Sequence, residues 1–147
     1  SYVNSHLIYG ISLWGPMSTE TQKNALSNML RSIIRQSNIA PQHTEKILTL
    51  DQLITLSQLE YIYNTIYKLN PIQSRTTLQI GQSPRKPKNI LLPKYNSELY
   101  HKSLYYSSII LWNNLDDKAQ KSPSIQSLRH KYKKTYKNID LTVIHRQ

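Results

Sequence analysis

The chain has 147 residues, enough for one domain with a tail and too few for two independent cores, which excludes most large enzyme architectures. Nineteen Lys and Arg against 8 Asp and Glu leave a net charge of +11, so the expected partner is a polyanion, nucleic acid first. Cysteine is absent, which removes disulfides, thiolate zinc sites, iron–sulfur clusters and cysteine nucleophiles, and no apolar run approaches the ~20 residues that cross a bilayer, so no membrane partner is expected. The opening Ser1-Tyr2-Val3-Asn4-Ser5 lacks an initiator Met and a signal peptide's basic and apolar regions and reads as an internal fragment. The expected setting is intracellular, nucleus or cytoplasm.

Apolar positions recur at spacings of three and four, and only 3 glycines interrupt them, which predicts a mainly α fold. Val3, Leu7, Ile11 and Trp14 line one face of a first helix that Gly15-Pro16 stops. Ser18 or Thr19 caps a second, because Gln22 follows Thr19 at capping-box spacing and Ala25, Leu26, Met29, Leu30, Ile33 and Ile34 form an apolar stripe. Thr49 with Gln52 starts a third helix, apolar on more than one face from Leu50 to Leu69 and therefore expected to be the most buried element. Pro71, Pro84, Pro87 and Pro93, with Gly81 and the cations Arg75, Arg85, Lys86 and Lys88, make a connector that no helix tolerates. Ser97 is the expected cap of a fourth helix carrying Leu99, Leu104, Ile109, Leu111 and Trp112, although Tyr105 to Leu111 would also pass for a buried strand. Ser122-Pro123 is the expected start of a last helix whose Ile125, Leu128, Tyr132 and Tyr136 keep one face. The organisation predicted is a small helical bundle over 1–70, a Pro-rich basic linker over 71–96 and a C-terminal basic helical segment over 97–147 packing on the bundle.

The charge is concentrated. Residues 1–70 carry 5 basic and 4 acidic side chains, whereas residues 71–147 carry 14 and 4. The last helix alone holds Arg129, Lys131, Lys133, Lys134 and Lys137, interleaved with Tyr132 and Tyr136. Clustered cations release condensed counterions on meeting phosphates, so this helix is the strongest candidate for nucleic-acid contact; the plain alternative is a solvated amphipathic helix that keeps the chain soluble. A calmodulin-like acceptor or an anionic surface are further takers of such a helix.

Other chemistry finds little footing. Asp116-Asp117 suggests a two-metal site, but a further carboxylate would have to come from another element, and a helix cap explains the pair more simply. His6, His43, His101, His130 and His145 never stand at i, i+4, and glycines at 10, 15 and 81 permit neither a P-loop nor a dinucleotide fingerprint. No catalytic residue, cofactor or metal is expected. Trp14 and Trp112, among aliphatic neighbours, are expected in the core.

Taken in order, five stretches resemble the C-terminal region of the reverse transcriptase of non-LTR, LINE-like retrotransposons of the jockey type, beginning after the catalytic palm. They are Tyr2 to Gly15, with Tyr9-Gly10 and Trp14-Gly15; Gln22 to Leu26 followed by Leu30 to Ile34; His43-Thr44 with Leu50 to Leu53 and Ile62-Tyr63; Arg75; and Leu111-Trp112-Asn113-Asn114-Leu115 with Ser124 to Arg129. Asp116 stands where the family usually has Pro and Leu128 where Phe is common. The resemblance implies a thumb: a helical bundle that grips the template–primer, RNA or an RNA/DNA duplex, by its phosphates while an upstream palm does the chemistry. It also implies that this segment alone is not an enzyme. Arg31 and Arg35 in the thumb-like half join the linker's Arg85, Lys86 and Lys88 and the last helix's Arg129, Lys131, Lys133, Lys134 and Lys137 as candidate phosphate contacts. The competing reading is a host-adopted protein–protein interaction or structural module that uses tyrosines such as Tyr100, Tyr105 or Tyr106 on a partner chain.

Overall fold

The computed structural model describes residues 10–38, 40, 47–67, 89–92, 94, 97 and 103–141. It is mainly helical, with no strand among the described residues. Among the described residues six α-helices run in order, α1 Ile11–Trp14, α2 Glu20–Gln36, α3 Leu50–Ile66, α4 Leu104–Asn113, α5 Asp117–Gln120 and α6 Ile125–Lys131, and a π-helical stretch Tyr132–Tyr136 continues α6. The expected roles of Val3, Leu7, His43, Leu69, Arg75, Leu99 and Tyr100 fall outside the described residues.

The centre is α3, which packs on α4 and also meets α1, α2 and α6. At about 100° per residue, Leu50, Leu53 and Ile54 fall on one side of it, while Leu56, Leu59, Ile62 and Tyr63 fall on the opposite side. One helix therefore serves two cores. The smaller joins Ile11, Leu50 and Ile54, with Trp14, Leu26, Leu30 and Leu53 packed around them. The larger joins Leu56, Leu59, Ile62 and Tyr63 to Ile109, Leu111, Trp112, Leu115, Leu128, Tyr132 and Leu141. Each fully buried Leu or Ile contributes roughly 1.5–3 kcal/mol.

Local chemistry sets the helix ends. Both predicted capping boxes are present: the Thr19 hydroxyl accepts from Gln22 N–H (3.3 Å) while the Gln22 carboxamide accepts from Thr19 N–H (3.0 Å), and Thr49 with Gln52 repeats the arrangement at 3.3 and 2.9 Å. Gln52 does more than cap, because its Nε2 donates to the Lys137 carbonyl at 2.8 Å and so ties α3 to the end of the π stretch. After α2 the chain turns at Asn38, whose φ of 49° is left-handed, a conformation asparagine tolerates better than most residues.

Gly10 starts α1 with φ 67°, and glycine meets that without strain. Gly15 ends α1 for a different reason. A Cβ there would lie 2.5 Å from the Ile11 carbonyl oxygen and 2.8 and 2.9 Å from two carbons of Ile54, so α1 approaches α3 through the missing side chain. Gly15→Ala is expected to lower stability by about 1–3 kcal/mol through overpacking, read as a fall in the urea midpoint. An unchanged midpoint would contradict this close approach.

The apolar stripe of α2 meets little of the core: no residue of α2 is buried, Met29 is 46% exposed, and from α2 Leu26 and Leu30 pack against the α1–α3 cluster. Two expectations need correction. The fourth helix is helical, not a strand, but its cap is Ser103, whose hydroxyl accepts from Tyr106 N–H at 3.3 Å, rather than Ser97. The last helix begins two residues later than predicted, because Ser124 caps it by accepting from Ser127 N–H at 3.2 Å. Ser122 is occupied elsewhere. Its hydroxyl donates to the Ala119 carbonyl at 2.6 Å, and its own carbonyl accepts the Tyr63 hydroxyl at 2.9 Å, so Ser122 closes α5 and anchors it on α3.

Candidate nucleic-acid interface

Leu111-Trp112-Asn113-Asn114-Leu115 holds the C-terminal half together. Leu111, Trp112 and Leu115 are buried, and the two asparagines between them hold non-helical backbone. Asn113 accepts from Ile90 N–H at 2.9 Å and donates to the Ile90 carbonyl at 2.8 Å, pairing with this buried residue as a neighbouring strand would. Asn114 donates to the Leu141 carbonyl at 2.6 Å. The end of the predicted linker is thus docked on the core at Ile90.

Asp116 and Asp117 are a cap and a first-turn acid. The Asp116 carboxylate accepts from Ala119 N–H at 2.7 Å, opening α5, and Asp117 pairs with Lys121 at 2.6 Å. No cluster of three potential metal ligands occurs among the described residues.

On this frame sits a run without acid: residues 118–137 contain Lys118, Lys121, Arg129, Lys131, Lys133, Lys134 and Lys137 and no Asp or Glu. One face of the helix faces inward, with Leu128 and Tyr132 buried and Ile125 and Tyr136 packed against the core. Burial holds the Tyr132 hydroxyl protonated, pushing its pKa up to about 12 against a smaller opposing effect of its hydrogen bond to Thr55. Tyr136 also rises to about 12, first through burial and then through hydrogen bonding to Asp116. The outward face carries the exposed Gln126, His130, Lys133 and Lys134. Lys133 and Lys134 lie within the π stretch, marked by the Lys137 N–H to Tyr132 carbonyl bond at 2.9 Å, and form no ion pair with a described residue. Cations at this end of a helix also meet its partial negative charge favourably.

The flanking cations are engaged by the fold. Arg129 grips Glu60 of α3 with two nitrogens, Nε to Oε1 and Nη2 to Oε2, the second at 3.1 Å. That hydrogen bonding raises the Arg129 pKa further above its ordinary value, outweighing the opposite pull of partial burial. The half-buried Lys131 reaches back to donate to the Lys118 carbonyl (2.6 Å) and to Ser122 Oγ (3.1 Å), satisfying carbonyl oxygen at the end of α5. Lys137 is half-buried beside a cavity, and its carbonyl holds Gln52. Arg31 and Arg35 are exposed on α2, and Arg85, Lys86 and Lys88 lie outside the described residues.

Sequence reasoning passed over Lys118 and Lys121, both exposed, on the short helix that Lys131 joins to α6. The signal was the length of the acid-free run, which begins before the last helix. Glu60 gave no signal, being 69 residues from its partner.

The cavity, about 700 Å³, opens between α3, α4 and the segment after the π stretch, with Ile54, Ile110 and Leu141 on its walls. Lys23 and Lys137 at its edge are balanced by Asp51 and Asp140, so it offers no preference for an anion. The exposed Lys118, Lys121, Lys133 and Lys134 lie along the outer edge of α5, α6 and the π stretch.

Among the described residues, fold and site together define a mainly helical arrangement with a cationic helix edge. Compared with known proteins, the chain matches no family model, no curated protein and no solved structure.

Proposed function

We propose that this chain is a non-catalytic nucleic-acid-binding module that grips a phosphate backbone without reading sequence. In this reading it is the thumb and post-palm part of a non-LTR retrotransposon-type reverse transcriptase, with the palm upstream on a longer chain and the RNA or RNA/DNA template–primer as partner. The observation that carries the reading is the acid-free run 118–137, which turns its apolar side inward and leaves Lys118, Lys133 and Lys134 exposed. Lysine, as a flexible point charge, suits phosphate contact that must tolerate any sequence. The resemblance to the retroelement pattern supports the polymerase assignment, and the asparagine pair gives its Leu-Trp-Asn segment a physical purpose in docking two chain segments.

Binding to a short RNA/DNA duplex, measured between 50 and 200 mM salt, tests this. Each phosphate engaged steepens the log–log slope by about 0.9, so Lys133→Ser with Lys134→Ser is expected to flatten it by about 1.8 and weaken binding roughly 30-fold at 0.15 M salt, equally for unrelated sequences. A wild-type affinity that ignores salt would sink the assignment.

A second reading, a module that binds another protein, is favoured by a separate observation. The apolar side of α2 carries no buried residue and leaves Met29 46% exposed, and Met17 in the turn before it is 55% exposed. Tyr105, expected to serve such a surface, instead packs against the core, and Tyr106 is half-buried beside the cavity. On this reading affinity for a partner follows Met29→Ser and ignores the lysines.

A further inference from the structure

We infer that Glu60 is a built-in competitor for the phosphate-binding edge: it holds Arg129 as a positioning residue, and releasing it adds that cation to the interface. The inference rests on the proposed function and concerns the regulation of the same site.

Four observations carry it. Arg129 belongs to the acid-free run, and no carboxylate of its own helix can neutralise it. Glu60 comes from the middle of α3 with its side chain only 21% exposed, and both its oxygens are used by Arg129. A fork-to-fork pair of this kind fixes direction as well as distance, so it sets how α6 lies on α3. A guanidinium with Nε and Nη2 committed to a carboxylate has lost much of the geometry by which it would clasp a phosphate. The Arg129 side chain is nonetheless 46% exposed and precedes the free Lys133 by four residues, one helical turn, so it stands at the interface without being given to it.

The consequence is a grip held below its possible strength. A module that must let a duplex slide while staying bound is served by fewer full charges, and Glu60 supplies that limit from a different element of the core. The pair also removes the like-charge repulsion that Arg129 and Lys133 would feel one turn apart.

The test uses the full chain, a short RNA/DNA duplex and the salt slope. Glu60→Gln is expected to steepen the slope by about 0.9 and to tighten binding about fivefold at 0.15 M salt. Arg129→Gln in the wild-type background is expected to leave the slope unchanged, because Arg129 engages no phosphate there. The double variant is expected to return to the wild-type slope. Glu60→Ala serves as a second release variant should Glu60→Gln disturb the fold, and helical circular dichroism shows whether each variant is folded. A Glu60→Gln slope equal to wild type, or a slope flattened by about 0.9 in Arg129→Gln, overturns the inference while leaving the proposed function standing. Absence of salt-dependent binding by the wild-type chain overturns both.

Discussion

Trp112→Ala is expected to cost about 3–5 kcal/mol, the largest effect of any single truncation among the described residues, because Trp112 is the largest fully buried side chain there. Trp112 is 0% exposed in the larger core, among Leu59, Ile62, Ile109, Leu115 and Leu128. Removing the indole opens a void walled by three helices that are also held by polar ties and so collapse poorly. Gln120 donates to the Trp112 carbonyl at 2.8 Å, and the Asn113 side chain pins Ile90 next door. A domain of this size is stable by roughly 5–15 kcal/mol, so the variant stands near the edge of folding. Urea unfolding followed by circular dichroism measures it. Trp112→Phe is expected to lose clearly less, since most of the volume stays filled. A loss in Trp112→Ala below about 1 kcal/mol would show that this ring is not the centre of the core.

The second large effect is on alkaline stability. Tyr132 and Tyr136 have pKa values of about 12 in the fold against 10.0 for a free tyrosine, both chiefly through burial. Tyr63 shifts upward as well, through burial and then its neighbour Tyr67. A group whose folded pKa is raised binds its proton more tightly in the native state. Its contribution is therefore complete below pH 10 and is lost as pH climbs through 12. Stability should be level up to about pH 10 and then fall, with the buried Tyr132 giving a slope of up to about 1.4 kcal/mol per pH unit and the half-buried Tyr136 less. Tyrosinate absorbance should rise in two steps, the exposed rings first and the buried ones with unfolding. Lysines lose their charge over the same range, so Tyr132→Phe is the control: it should flatten the decline if the phenol is responsible. A decline that persists unaltered in that variant would assign the effect to the lysines.

Much of the local structure was legible because its causes are local. Thr19 with Gln22 and Thr49 with Gln52 satisfy each other's backbone across three residues, a distance the sequence displays directly. The burial of α3 followed from apolar residues at spacings that reach both sides of a helix, and Trp112 from its aliphatic neighbours. The errors concern helix ends. Ser97 and Ser122 have the composition of caps, yet Ser103 and Ser124 do the capping. Tertiary partners claim Ser122: Tyr63 from α3 takes its carbonyl and Lys131 its hydroxyl. The α2 stripe was legible as apolar, but periodicity reports that a face is apolar without reporting what meets it.

The same division runs through the candidate site. The acid-free run and its inward tyrosines were present in the sequence. The status of each cation was not, since Glu60 lies 69 residues from Arg129 and Lys131 finds its acceptors on a neighbouring helix.

By itself the sequence determined that the chain is mainly helical, how two of the helices are capped, and that positive charge gathers in the second half, because these depend on interactions within a turn or on simple counting. Only the tertiary structure decided which of those charges remain for a partner. Ion pairing and burial depend on distance through space, and folding brings together residues that the chain keeps far apart.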